Sequence, residues 1–182
     1  MLLIKKILLF ISAYIPLYLL LLIKIGLQLA NGNLHFNILN SIMLGLLFTM
    51  TILGSIGIFL GLNAKNYVQI YIKSAKNITE KHFLGYLSLF VLFALNFQIE
   101  YYAMASTFVV VLIFIGIVYI KNDLFYINPT LNILGYSFYK ITYISSNSNE
   151  QKTTYLLYKG KLESAKSYDV NFSSYNLNIT KS

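Results

Sequence analysis

Four long runs of apolar residues occupy most of the first 120 positions of the chain, at 7–23, 42–62, 83–97 and 103–120. The second run is long enough to cross a hydrocarbon core of about 30 Å as a single helix. Together the runs predict four membrane-spanning helices, and Pro16 is expected to bend the first of them. The pattern is therefore typical of an integral membrane protein.

Polar residues beside the runs extend two of the predicted helices. Asn77, with Glu80 three residues later, has the spacing of a helix cap, so the third helix is predicted to begin near residue 78. Asn40 and Ser41 are the matching candidates for the second helix. The predicted spans are then about 7–29, 40–62, 78–98 and 102–120, and the short link between the last two requires an antiparallel hairpin.

The lysines are distributed unevenly about the predicted spans. All 14 of them except Lys24 lie before the first apolar run, between the second and third runs, or after the fourth. Lysine-rich segments stay in the cytoplasm, which predicts a multi-pass protein of the inner membrane with both termini inside the cell. The first run is longer than the core of a secretory signal, about 7–15 residues, so it is predicted to be retained as a span.

The composition changes after position 120, where polar residues replace the apolar run. Residues 136–144 and 153–158 alternate between apolar and polar side chains around a polar turn, which predicts a β-hairpin, and 170–180 adds one or two strands. A lone hairpin is marginally stable, so this tail needs a third strand, the membrane surface or another chain. Residues 63–81 fit either a strand or a helix, and an extension of the second helix is favoured.

The predicted fold is thus an all-α transmembrane bundle of four helices at 1–121, followed by a small β-rich cytoplasmic domain at 122–182. Two sets of small residues lie on nearly opposite faces of the second helix: Gly54, Gly57 and Gly61 on one, and Ser41, Gly45 and Thr49 on the other. Small residues let helices approach closely in lipid. One face is expected to pack within the chain and the other against a neighbouring copy, which makes a homo-oligomer plausible.

Composition and charge narrow the function classes. The chain is 57% hydrophobic with a net charge of +8, and its lysines flank apolar runs, so membrane lipid is the expected anionic partner and no direct nucleic-acid binding is predicted. The absence of cysteine excludes disulfides and thiolate metal sites. His35, His82 and the scattered carboxylates form no catalytic or metal-ligand pattern, so we expect no enzyme, cofactor or metal. No ionisable residue lies mid-span, which disfavours a proton-coupled transporter.

The tract FYINPTLNILGYSFYKI at 125–141 resembles the corresponding tract of the KwaA family, the membrane component of the Kiwa anti-phage defence system. The resemblance implies a bacterial inner-membrane protein that senses phage-inflicted disturbance of the envelope and works with a cytosolic partner, KwaB. We hypothesise that Asn128, Pro129, Gly135, Tyr136 and Tyr139 set the angle of the tail relative to the fourth span, with the tyrosines at or near the partner surface. Tyr126 is a further candidate at this junction. The alternatives are a small channel or transporter subunit and a bacteriocin-immunity membrane protein.

Overall fold

The structure, a computed structural model, describes residues 2–32, 37–63, 67–98, 102–145, 148–172 and 178–180. Its helices are α1 (Leu2–Ala13), α2 (Ile15–Ala30), α3 (Ile38–Leu62), α4 (Glu80–Asn96), α5 (Tyr102–Lys121) and α6 (Pro129–Ile133). A 3-10 turn, Leu124–Tyr126, follows α5. The strands are β1 (Val68–Asn77), β2 (Tyr136–Ser145), β3 (Ser148–Lys159), β4 (Lys166–Asn171) and β5 (Asn178–Thr180).

The first apolar run forms two helices that meet at a bend of 49°. Tyr14 separates α1 from α2, and Pro16 lies in the first turn of α2. Proline is tolerated there because the first N–H groups of a helix have no partner within the helix. The bend that Pro16 predicts is therefore present, and it takes the form of a full break in the helix.

Two of the described helices, Ile38–Leu62 and Ala103–Lys121, are each long and apolar enough to cross a membrane. The described residues offer a third span if the bent pair α1–α2 is counted as a single one. In the residues of α4 whose side chains the structure describes, the apolar stretch is Leu87–Asn96. The predicted all-α bundle of four spanning helices is therefore wrong, because β1 takes up residues before α4 and a β-barrel forms much of the fold.

The favoured helical extension after α3 is also wrong, because residues 68–77 form β1. The side chains of Ile70 and Ile72 are almost completely buried, whereas Tyr71 between them is exposed. This alternation with a period of two is the strand pattern that the sequence contained. β1 supplies the third strand that the predicted hairpin required.

The five strands close into a barrel in the order β1-β2-β3-β5-β4. β1 pairs antiparallel with both β2 and β4, while β3 and β5 run parallel. This order, with one long strand shared by two neighbours, is that of an OB-fold barrel. The predicted β2–β3 hairpin is confirmed, with Tyr136 opposite Lys159 and Ser145 opposite Ser148. The α4–α5 hairpin is an insertion between the first two strands of the barrel.

Alternate residues of the barrel strands face two different cores. The interior contains Ile70, Ile72, Tyr139, Ile141, Leu156, Leu162 and Val170. Phe138 and Leu157 have the opposite orientation and pack outside the barrel, together with Ile179, against α1, α5 and α6. The barrel is thus attached to the helices through an apolar row on its outer face.

Candidate functional site

The break between α1 and α2 is hydrogen-bonded by the segment that leads into the barrel. A helix break leaves carbonyl groups without their usual partners. The Thr130 hydroxyl donates to the Ser12 carbonyl oxygen at 2.5 Å, and the Asn128 Nδ2 donates to the Ser12 Oγ at 2.9 Å. The side chains of Ser12, Asn128 and Thr130 are all buried. We call these three residues the junction cluster.

Asn128 serves two elements at once. Its Oδ1 accepts hydrogen bonds from the backbone N–H groups of Thr130 and Leu131, at 3.0 and 3.3 Å, and so caps α6. Its Nδ2 is therefore left to donate to Ser12. Pro129 occupies the first turn of α6, where its fixed φ favours a helix start. The sequence Asn-Pro-Thr thus both begins α6 and holds it against the break.

An apolar shell surrounds the junction cluster. The rings of Phe10 and Tyr119 lie 5.4 Å apart, and those of Tyr119 and Phe125 lie 5.3 Å apart in an edge-to-face arrangement. Gly116 makes room for this packing, because a Cβ there would lie 2.9 Å from the Phe10 ring. α1 and α5 therefore share one aromatic cluster beneath the barrel.

An ion pair joins the start of α1 to the end of α5. The Lys6 Nζ lies 2.5 Å from the Asp123 Oδ1, with the two side chains 17% and 32% exposed. The same ammonium group lies 5.7 Å from the centre of the Phe125 ring. Partial burial reduces the screening of this pair by water, so it contributes more than a fully exposed pair does.

Thr79 joins the two ends of the α4–α5 insertion. Its hydroxyl accepts a hydrogen bond from the Phe138 backbone N–H at 2.7 Å, and the Ile78 N–H donates to the Phe138 carbonyl oxygen at 2.9 Å. The exit from β1 and the entry to β2 are therefore held side by side.

Lys24 forms a second polar contact between helices. Its Nζ donates to the carbonyl oxygens of Ala94, Leu95 and Phe97 at 2.9, 2.7 and 2.7 Å. A cation at this position satisfies the last carbonyls of α4 and interacts favourably with the helix dipole. α2 and α4 are thereby joined at the end that lies away from the barrel.

The residues of the predicted junction do not all share one environment. Asn128 and Pro129 lie at the centre of the junction, and Gly135 has φ +85° in the turn before β2, a conformation that favours glycine. Tyr136 is half-buried and packs against the apolar cluster between the helices and the outer face of the barrel. Tyr139 is buried inside the barrel, where its hydroxyl donates to the Gly160 carbonyl oxygen at 3.1 Å.

Tyr139 therefore has no exposed ring to offer a partner, contrary to the hypothesis from the sequence. Its backbone follows the alternation of β2, which directs odd-numbered residues into the barrel. The side chain of Tyr126 lies outside the described part of the structure.

The small-residue faces of α3 have different surroundings. A Cβ on Gly57 would lie 2.4 Å from the Leu8 carbonyl oxygen, and one on Gly54 would lie 2.9 Å from Ile15. Gly61 is buried as well. Ser41 and Gly45 are exposed on the other face, with nothing within 4 Å of a Cβ on Gly45. One face packs against α1, and the other is not covered by any of the residues that the structure describes.

The sequence interpretation overlooked Ser12, Thr79, Thr130 and Lys24 as contributors to the site. Ser12 precedes Pro16 by four residues, so a hydroxyl near a proline was a usable signal for a break in the helix. Lys24 stood out as the one lysine on its side of the spans. Thr79 and Thr130 carried no local signal, because their partners lie far away in the sequence.

The sequence profile of the family described as "Anti-phage protein KwaA" matches residues 5–179. The chain belongs to the KwaA family. The match extends far beyond the tract at 125–141 and confirms the resemblance found there. Membership of this family gives the chain a role in anti-phage defence.

One curated relative is the "Kiwa protein KwaA" of Escherichia coli O55:H7 (strain RM12579 / EPEC). It is 29% identical over 69 residues, which cover 38% of this chain and 35% of the relative. The match therefore spans about a third of the length of that relative. No solved structure matches the chain. Among the described residues, no group of three or more His, Asp or Glu side chains is placed to hold a metal ion.

Proposed function

We propose that this KwaA-family protein is the membrane component of a bacterial anti-phage system, senses disturbance of the envelope, and acts with a cytosolic KwaB-like partner. The bent pair α1–α2, α3 and the α4–α5 hairpin lie in the inner membrane, in contact with lipid, and the hairpin begins and ends on the side of the barrel. Both termini and the barrel face the cytoplasm. The distribution of the lysines supports this orientation.

The observation that carries the proposal is the hydrogen bonding between the helix break and α6. α6 leads through Gly135 directly into β2, so a change in the angle between α1 and α2 acts on the barrel through three buried polar groups. Leaving one such buried group unpaired costs about 1–3 kcal/mol. This cost matches the coupling free energy between two sites of a switching protein, which is typically about 1–3 kcal/mol.

A matched pair of variants tests the proposed relay. Thr130→Val removes the hydroxyl at nearly constant volume, whereas Thr130→Ser keeps a donor to the Ser12 carbonyl. We expect Thr130→Val to insert in the membrane and recover the partner normally but to lose protection, and Thr130→Ser to retain most of it. The readouts are phage plating with the partner gene co-expressed, membrane fractionation and co-purification. Full protection by Thr130→Val would exclude the junction cluster as the relay.

Orientation has its own test. Two reporters are fused in turn after residue 182, one that is active only in the cytoplasm and one that is active only in the periplasm. We expect activity from the cytoplasmic reporter alone, because the barrel follows a lysine-rich flank. Activity of a periplasmic reporter at the same position would contradict the proposed orientation without affecting the family assignment.

Self-association is proposed through the uncovered face of α3, which presents Ser41, Gly45 and Thr49. A bulky residue there would separate two helices that approach through small residues. We expect Gly45→Leu to lower the mass of the particle in lipid nanodiscs, while Gly26→Leu on α2 leaves it unchanged. An unchanged mass for Gly45→Leu would place any self-contact elsewhere.

A further inference from the structure

The outer face of the barrel continues beyond the apolar row of Phe138 and Leu157. Because Tyr139 and Ile141 point inward, Lys140 between them points outward. Lys76 of β1 lies directly opposite Lys140, and Lys140 lies opposite Tyr155 of β3. We call the outward residues of β1, β2 and β3 beyond the apolar row the basic sheet face.

The positive charge of this face is not balanced by the ion pairs of the described residues. Like charges directly opposite each other on neighbouring strands are destabilising. Two of the barrel carboxylates pair elsewhere, Glu150 with Lys152 and Glu163 with Lys166, and the hydrogen bond from Lys166 holds the pKa of the Glu163 carboxyl below its usual value. A third, Asp169 of β4, lies opposite Gln69 of β1 and not opposite Lys76 or Lys140. An anionic ligand would relieve the repulsion between Lys76 and Lys140.

Exposed aromatic rings accompany the lysines. Tyr155 beside Lys140 is 37% exposed, and Tyr71, opposite Ile144 farther along the same face, is 43% exposed. The hydroxyl side chains of Thr142 and Thr153 lie opposite each other between these rings. Neighbouring strands are about 4.8 Å apart, so the lysine pair and the Tyr155 ring span about 10 Å across the sheet.

We propose that the basic sheet face binds single-stranded nucleic acid, with phosphates at Lys76 and Lys140 and unpaired bases stacked on Tyr71 and Tyr155. Basic grooves with exposed aromatic rings bind single strands in this way. The corresponding face of OB-fold barrels takes oligonucleotides, but a fold alone does not decide function, so the proposal rests on these four residues. It goes beyond the proposed function and does not depend on it.

The sequence expectation of no nucleic-acid binding was made without sight of this face, for a physical reason. Lys76 and Lys140 lie on strands that are separated in the sequence by the whole α4–α5 insertion. Only the register of β1 against β2 brings them together. In the linear sequence they are two unrelated lysines, one before the third apolar run and the other in the polar tail.

Fluorescence anisotropy of a labelled 20-nucleotide oligothymidylate tests the proposal, with the full chain purified in mild detergent. We expect the double variant Lys76→Gln/Lys140→Gln to weaken binding at least tenfold. The slope of log affinity against log salt should fall by about 1.4, since each phosphate contact to a single strand contributes roughly 0.7. Tyr71→Leu/Tyr155→Leu should weaken binding about tenfold or more, because a stacked base contributes about 1–3 kcal/mol.

The matched control is Lys152→Gln/Lys166→Gln, which removes the same charge from lysines already paired with carboxylates. We expect it to change the affinity less than threefold. Equal losses in both lysine variants, or no binding by the wild type at 100 mM salt, would overturn the proposal. It is also overturned if duplex DNA or polyglutamate competes as well as the single strand, or if Lys76 and Lys140 matter only for flotation with anionic vesicles.

Discussion

The Asn128 side chain is central to the junction, because it forms hydrogen bonds to polar groups of two different elements. Its oxygen caps α6, and its nitrogen holds the Ser12 hydroxyl of the broken helix. The side chain is buried, so water cannot replace either partner after substitution. A change at this residue therefore affects α6 and the break together.

We expect Asn128→Ala to lower the free energy of unfolding by roughly 2–3 kcal/mol, from the lost cap and an unpaired buried hydroxyl. The midpoint of thermal unfolding in detergent should fall by about 5–10 °C for a chain of this length. Asn122→Ala is the control, since that amide is exposed and donates only to its own helix. A midpoint within a degree or two of the wild type for Asn128→Ala would contradict this account of the junction.

Lys24 gives a second prediction at this scale. Its ammonium group is the donor for three carbonyl oxygens at the end of α4, so Lys24→Met should leave them without it and destabilise the last turn. We expect a loss of about 2 kcal/mol, with faster hydrogen exchange confined to the end of α4. Lys24→Arg keeps charged donors and should retain most of the protection of these amides against hydrogen exchange. Uniformly faster exchange throughout α4 would indicate a different role for Lys24.

Among the elements, α3 shows how a small residue sets the distance between two helices. Gly57 lets the α1 backbone come so close that a methyl group there would contact the Leu8 carbonyl. Backbone atoms cannot yield as a flexible side chain can, so α1 would have to move away. Ser12 of the junction cluster lies on α1 and would move with it.

Gly57→Ala is therefore expected to destabilise the protein by at least about 2 kcal/mol, although alanine favours a helix over glycine by about 1 kcal/mol. Gly26→Ala is the control, because nothing lies within 4 Å of its added methyl group. That variant should be neutral or slightly stabilising. Thermal unfolding of both variants in the same detergent measures the difference, and equal midpoints would show that α1 does not pack against α3 as described.

The sequence predicted the elements better where their partners are close in the chain. The β2–β3 hairpin was predicted because alternation and a polar turn lie within one continuous segment. β1 was missed because its alternation was short, and its pairing partners lie beyond the α4–α5 insertion. Asn128 and Pro129 were singled out by their tract, but Ser12 and Thr130 became site residues only through contacts across the fold. Local patterns therefore predicted segments, while the closure of the barrel required long-range pairing.

For the whole molecule, the main consequence is that helices and barrel are interleaved along the chain. The barrel takes β1 from before the α4–α5 insertion and its other strands from after it. Thr79 and Phe138 hold the two ends of the insertion together, so the barrel does not need the insertion to set its strand register. What the helices provide is cover for the apolar row on its outer face.

This arrangement predicts that the barrel folds without the helices once that row is made polar. Joining residues 67–79 to 135–180 through a short Gly-Ser linker, with Phe138→Thr, Leu157→Thr and Ile179→Thr, should give a monomeric β-rich domain, because the interior core consists, over the described residues, of strand and loop residues of the barrel itself. Circular dichroism, cooperative thermal unfolding and dispersed amide NMR signals measure the outcome. The same chain without the three substitutions should aggregate, because its apolar row loses the cover of α1, α5 and α6. An unfolded chain in both cases would show that the helices supply part of the barrel's own stability.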